Sequence, residues 1–220
     1  MKKLFTFLLC VALTLSLVSC GREKGVRFDE LRAMGAEAAA EVVLEKLRRT
    51  PNGVVKYLEL AGYSTEEAAE AASGVDWKGQ AVIYACKYLE NIYHHSYSGL
   101  IEALVEEGYS QEDAAYGVDN CGADWNEQAV KAAKNWIEEC DHHISYKSTI
   151  HYLAQIADFT LEQATYGADN CGIDWKKQAA ELAIECEKSG DTYFDVIDYL
   201  EYEGFTPEEV EYGAFIAFGH

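Results

Sequence analysis

Asp76-Trp77-Lys78-Gly79-Gln80-Ala81, Asp124-Trp125-Asn126-Glu127-Gln128-Ala129 and Asp174-Trp175-Lys176-Lys177-Gln178-Ala179 spell one phrase three times, Asp-Trp-x-x-Gln-Ala. The tryptophans stand 48 and 50 residues apart. A period of this size marks a tandem array of one small supersecondary unit, and it sets the architecture before any single residue is weighed. It also argues against an enzyme: an array repeats a surface, whereas an active site gathers unlike residues once.

Outward from each tryptophan runs a regular apolar stripe. Trp77, Ala81, Tyr84, Ala85 and Tyr88 match Trp125, Ala129, Ala132, Ala133 and Trp136, then Trp175, Ala179, Leu182, Ala183 and Cys186. The offsets 0, 4, 7, 8 and 11 describe one face of an α-helix. Asp76, Asp124 and Asp174 fall where an N-cap belongs. Upstream lie two short helices, the first apolar at Val54, Leu58, Leu100, Leu104, Leu153, Val196 and Leu200. Between them stand Gly62-Tyr63-Ser64, Gly108-Tyr109-Ser110, Asp158-Phe159-Thr160 and Gly204-Phe205-Thr206. Glycine suits the left-handed residue that stops a helix, so the turn at Asp158 is expected to be strained or built differently. Ser64, Ser110, Thr160 and Thr206 then read as N-caps with Glu67, Asp113, Gln163 and Glu209 three residues on, a capping-box spacing. The second short helix carries Tyr116, Tyr166 and Tyr212 at one equivalent position.

The reading is therefore all-α, a tandem array of small three-helix repeats after a signal peptide. Its divisions are a lipoprotein signal peptide at 1–19, a tether at 20–27 and an N-terminal helix, a partial repeat, at 28–52. Repeats follow at 53–98, 99–147 and 148–194, with a C-terminal partial repeat at 195–220. Atypical ends are what an array needs to close its core.

Lys2-Lys3, an apolar run of about 15 residues and Leu17-Val18-Ser19-Cys20 make up the signal. That run is shorter than the ~20 residues of a membrane-crossing helix. From Cys20 onward there are 16 Lys and Arg against 38 Asp and Glu, a net charge of −22. Half of the basic residues precede residue 57; beyond it, 8 basic residues face 32 acidic ones. Such a chain repels nucleic acid, whose binding rests on Lys and Arg neutralising phosphates. Charge complementarity favours a basic protein segment instead. Glu106, Glu107, Glu112 and Asp113 gather around one turn, and Glu201, Glu203, Glu208 and Glu209 around another. These are the candidate partner-binding positions, set against the plainer reading of a solvated acidic face.

Five cysteines follow Cys20: Cys86, Cys121, Cys140, Cys171 and Cys186. An odd count leaves at least one unpaired in the monomer, and no C-x-x-C spacing suggests zinc. A bridge from Cys171 to Cys186 would span a long helix, far beyond the ~6 Å that a disulfide allows; other pairings stay open. His94-His95 and His142-His143 read as polar loop residues, with Cys140-Asp141 beside the second pair, and Asp119-Asn120 and Asp169-Asn170 as helix ends. No cofactor, metal or catalytic residue is expected.

Gly-Leu-Ile-Glu-x-Leu, Glu-Glu-Gly-Tyr-Ser-x-Glu-Asp-Ala and Val-Asp-Asn-x-x-x-Asp-Trp-Asn-Glu-Gln-Ala, all within residues 99–129, resemble the Ltp-type repeat of the host cell surface-exposed lipoproteins. These are proteins of Gram-positive bacteria and their temperate phages. The resemblance extends over roughly residues 38–220, and Leu-Val-Ser-Cys resembles the lipobox, which implies cleavage before Cys20 and a lipid on its sulfur. It further implies helix-turn-helix-like repeats, an extracellular location on the cell membrane, and superinfection exclusion by interfering with phage DNA injection. The alternative is a structural or adhesive surface lipoprotein of the bacterium with no phage role.

Overall fold

The computed structural model describes residues 22–23, 26–47, 49–90, 95–140 and 143–219. The signal segment, Cys20, His94, Asp141 and His142 lie outside the described residues. The all-α class holds. Thirteen helices are described: α1 Phe28–Arg32, α2 Ala36–Leu47, α3 Pro51–Ala61, α4 Thr65–Ser73, α5 Lys78–Leu89, α6 Tyr97–Glu106, α7 Gln111–Asp119, α8 Trp125–Glu139, α9 Tyr146–Gln155, α10 Leu161–Asn170, α11 Trp175–Ser189, α12 Tyr193–Tyr202 and α13 Pro207–Phe218. Ahead of them β1 (Arg22–Glu23) and β2 (Val26–Arg27) form a small antiparallel pair, within the stretch read as a tether.

The described residues divide into two compact units, those up to residue 80 with 105–110, and those of 81–104 with those from 111 onward. In the first, α2, α3 and α4 pack on one another, and α1 lies on α2 and α3. Residues 33–35 break the N-terminal stretch into two helices, which lets α1 fold back and bury Leu31 completely. Thr50 caps α3 ahead of Pro51, where the missing N–H of proline costs nothing. Tyr63 reaches the carbonyls of Leu31 (2.6 Å) and Met34 (2.7 Å) with its hydroxyl.

In the second unit the long helix packs with the short pair that follows it: α8 with α9 and α10, α11 with α12 and α13. The bodies thus start one long helix earlier than the divisions drawn from sequence. Each body closes on the expected alanine stripe: Ala129, Ala132, Ala133, Leu153, Phe159 and Ala164 in one, Ala179, Leu182, Ala183, Cys186, Val196 and Leu200 in the next.

Glycine makes that closure possible. A Cβ on Gly117 would lie 2.7 Å from the Ala81 carbonyl carbon, one on Gly167 would lie 2.8 Å from the Ala129 oxygen, and one on Gly213 would lie 2.9 Å from the Ala179 oxygen. Ala81, Ala129 and Ala179 end the repeated phrase. The phrase's alanine and the short helix's glycine are the two sides of one close crossing.

Successive bodies are joined by the start of the first short helix. In the first unit, Thr50 donates to the Glu107 carboxylate (2.9 Å) and the Asn52 amide side chain donates to the Glu106 carbonyl (2.8 Å). In the second, Ser98 donates to the Asp158 carbonyl (3.3 Å), and Ser145 (2.7 Å) and Ser148 (3.0 Å) donate to that of Glu203. Each such bond contributes about 0.5–1.5 kcal/mol net. The glutamine of the phrase joins in, since Gln178 accepts the Ile144 amide through Oε1 (3.3 Å).

The tryptophans follow the same logic. Trp125 meets Tyr97 edge-on (5.6 Å) and Trp175 meets Tyr146 (5.8 Å). Trp77 differs because Pro51 stands where those tyrosines are. Its indole N–H donates to the Ala72 carbonyl (2.9 Å), and its ring meets Tyr109 at 5.9 Å. At the C-terminal end Phe218 sits edge-on to Tyr193 (5.6 Å) and takes the tryptophan's place.

The caps are largely as spelled. Capping boxes form at Ser64/Glu67, Thr160/Gln163 and Thr206/Glu209, with one more at Thr192/Asp195. Asp76, Asp124 and Asp174 accept amides of the following turn. Asp158 is the one described non-glycine residue with positive φ, at 57°. Its turn is also one residue longer: Phe159 donates its amide to Leu153, whereas Phe205 donates to Leu200. Left-handed backbone costs an L-residue roughly 1–2 kcal/mol, partly offset by glycine's greater unfolded freedom. Asp158→Gly is therefore expected to raise stability by about 0.5–1 kcal/mol, read as a higher urea midpoint. A lower midpoint would show that the aspartate stabilises its turn.

Candidate partner-binding surface

The acidic candidates do not form one kind of surface. Glu106 is exposed, while Glu107 is half-buried and accepts the Thr50 hydroxyl. Both belong to the first unit, where their carbonyls hold Asn52. Glu112 (exposed) and Asp113 (half-buried) begin α7 in the second unit. Glu201 is exposed on α12, and Glu203 is half-buried with its carbonyl holding Ser145 and Ser148. Glu209 is a correction: only 9% exposed, its carboxylate accepts the Thr206 amide (2.8 Å) and serves as a cap rather than a docking group. Glu208, one residue earlier, is exposed and paired with Lys176 at 2.5 Å.

Glu208 lines one of two sister grooves in the second unit, each between the start of a long helix and the second short helix of its body. One, of about 470 Å³, is lined by Asn126, Leu161, Glu162, Thr165, Tyr166 and Asp169. The other, of about 340 Å³, is lined by Lys176, Tyr193, Glu208, Glu211, Tyr212 and Phe215. Asn126 and Lys176 both directly follow the tryptophan, and Tyr166 and Tyr212 occupy the equivalent place noted in sequence. Tyr116, Tyr166 and Tyr212 are 44%, 44% and 42% exposed. Matching exposure at one register position means that α7, α10 and α13 each present this aromatic ring.

The groove walls are braced from behind. Tyr146 donates to Asp169 (2.8 Å), as Tyr97 does to Asp119 (2.8 Å). Burial, then that hydrogen bond, pushes the Tyr146 hydroxyl up to about 12. The bond to Asp119 is the main cause of the rise at Tyr97. In the second groove Phe215 replaces the aspartate. The Lys176 ammonium is held above the ordinary lysine value first by its hydrogen bond to Glu208, with smaller contributions from Asp174 and Tyr212, and Glu208 is lowered in return.

The cysteines act as small apolar groups. All five are free. Cys121 and Cys171 occupy equivalent places, their thiols donating to Val118 (3.1 Å) and Ala168 (3.2 Å), and burial raises both. Asn120 and Asn170 end their helices by donating to the carbonyls of Tyr116 and Tyr166. Among the described residues no group of three or more His, Cys, Asp or Glu is placed to hold a metal.

Residues 76–121 match the sequence model of a family described as host cell surface-exposed lipoprotein. The segment is similar to that family's model over these 46 residues. The match opens at Asp76 and closes at Cys121, one long helix followed by one short pair, which is the order in which α8–α10 and α11–α13 pack. The family description fits a surface location, and no described helix is long and apolar enough to cross a membrane. Neither curated proteins nor solved structures give a match to the chain.

The grooves were not among the positions singled out from sequence, although their tyrosines were. The signal was present in the neighbours three and four residues away on the same helix face, the acidic Glu162 and Asp169 about Tyr166, and Glu208 with the apolar Phe215 about Tyr212.

Proposed function

We propose that the protein is a lipid-anchored binding protein on the outer face of the cell membrane that excludes superinfecting phage. It engages a basic segment of an incoming phage protein, such as a tail component, and thereby obstructs DNA injection. The observation that carries this reading is the family match at residues 76–121 joined to an excess of 24 acidic over basic residues beyond residue 56. Leu17-Val18-Ser19-Cys20 supports a lipid on Cys20, and two or three acyl chains make a stable anchor where one is marginal. The repeated exposed tyrosines support a protein that acts by contact rather than by chemistry, since aromatic rings dominate binding hot spots.

Expression in a susceptible host tests the proposal. Wild-type protein is expected to cut plaque counts and phage DNA entry while leaving adsorption intact, and Cys20→Ala is expected to lose that protection. Unchanged plaque counts and DNA entry across a phage panel would contradict the reading.

A further inference from the structure

The two sister grooves differ, among other places, at the residue that directly follows the tryptophan. Where α11 places Lys176 directly after its tryptophan, α8 places Asn126. Lys176 lines its own groove together with Tyr212, and its Nζ is bonded to Glu208. That groove already houses a cation. The groove on α10 has the same tyrosine, the equivalent carboxylate Glu162 and a further carboxylate, Asp169, but no cationic residue among its described lining.

The geometry points to the α10 groove as a receptor for one lysine or arginine side chain of a basic partner segment, in the place that Lys176 fills one body later. This rests on the binding reading above and adds the site. Tyr166 offers its ring face to the cation, a contact that strengthens as water is excluded. Glu162 and the rim of Asp169 supply opposite charge, and the exposed Leu161 (67%) gives the aliphatic stem an apolar bed. The binding surface is then graded along the array: one groove is self-filled and its neighbour is open.

The test uses the full-length protein in a non-ionic detergent and a fluorescent decalysine peptide, read by anisotropy at low salt. Asn126→Lys places the chain's own lysine in the open groove and keeps the residue type that α11 carries, so helicity and melting are expected to be unchanged. Tyr166→Ala removes the ring. Glu187→Gln, on the exposed tail of α11, changes net charge as much as Asn126→Lys does. Asn126→Lys and Tyr166→Ala are each expected to weaken peptide binding by about fivefold, and Glu187→Gln by much less. Equal, small losses for all three would overturn the groove while leaving a diffuse electrostatic partner surface standing. No peptide binding by the wild type would overturn both.

Discussion

Leu153→Ala is expected to lower the unfolding free energy by about 2–5 kcal/mol, the usual cost of emptying a fully buried leucine. Leu153 has no exposed surface and packs with Ala129, Ala132, Ala133, Phe159 and Ala164. The buried residues around it are mostly alanines, because the long helix meets its partners through them. The leucine therefore supplies a disproportionate share of the apolar contact, and alanines cannot move in to fill the space. Its Cδ1 would lie 3.1 Å from a Cβ on Gly167, and Leu200 holds the same relation to Gly213 at 3.3 Å. Urea denaturation followed by helicity measures the loss. A change under about 1 kcal/mol would mean that the core relaxes around the gap, unlike close-packed interiors generally.

Gly167→Ala carries the second large effect, and its sign opposes intrinsic propensity. In an open helix alanine is better than glycine by about 1 kcal/mol. At Gly167 the added methyl would stand 2.8 Å from the Ala129 oxygen, so α8 and α10 must separate. Overpacking of this kind costs roughly 1–3 kcal/mol, and the obstruction is backbone, which has no rotamer to yield. A net destabilisation is expected, with Gly213→Ala behaving alike. Gly79→Ala supplies the control, since nothing lies within 4 Å of a Cβ there; it should be neutral or stabilising. If Gly167→Ala raised the melting temperature as Gly79→Ala does, the close crossing would be wrong. Combining Gly167→Ala with Leu153→Ala should be less than additive, because the smaller residue removes one of the two clashes.

Much of this was legible in the chain. The stripe at offsets 0, 4, 7, 8 and 11 named Ala81, Ala85, Ala129, Ala133, Ala179 and Ala183, all of which are buried, because helical periodicity is a local property. The caps at Asp124, Asp174, Thr160 and Thr206 were legible for the same reason, as was the irregular turn at Asp158. What escaped was non-local. Gly117, Gly167 and Gly213 look like helix-weakening residues until the neighbouring alanine is known. The hydroxyls of Ser98 and Ser145 look like local polar groups until the next turn is seen to offer its carbonyl. Which short pair belongs with which long helix is likewise a packing fact: the period is the same wherever it is cut. Glu209 reads from sequence both as the third residue of a capping box and as a docking group, and the structure shows it in the first role. Thr50-Pro51 repeats the helix-start signal of Thr206-Pro207 and could have been read directly.

The most direct measurement places a photo-crosslinking amino acid at Tyr166 and illuminates intact cells during phage adsorption, with Leu60, exposed on α3, as the comparison site. The expected product is a covalent adduct at position 166, absent at position 60, whose captured peptide belongs to the phage and carries lysine or arginine at the join. Adducts formed equally at both positions, or at 166 only with cell-wall and host proteins, would contradict a surface built to meet an incoming basic segment.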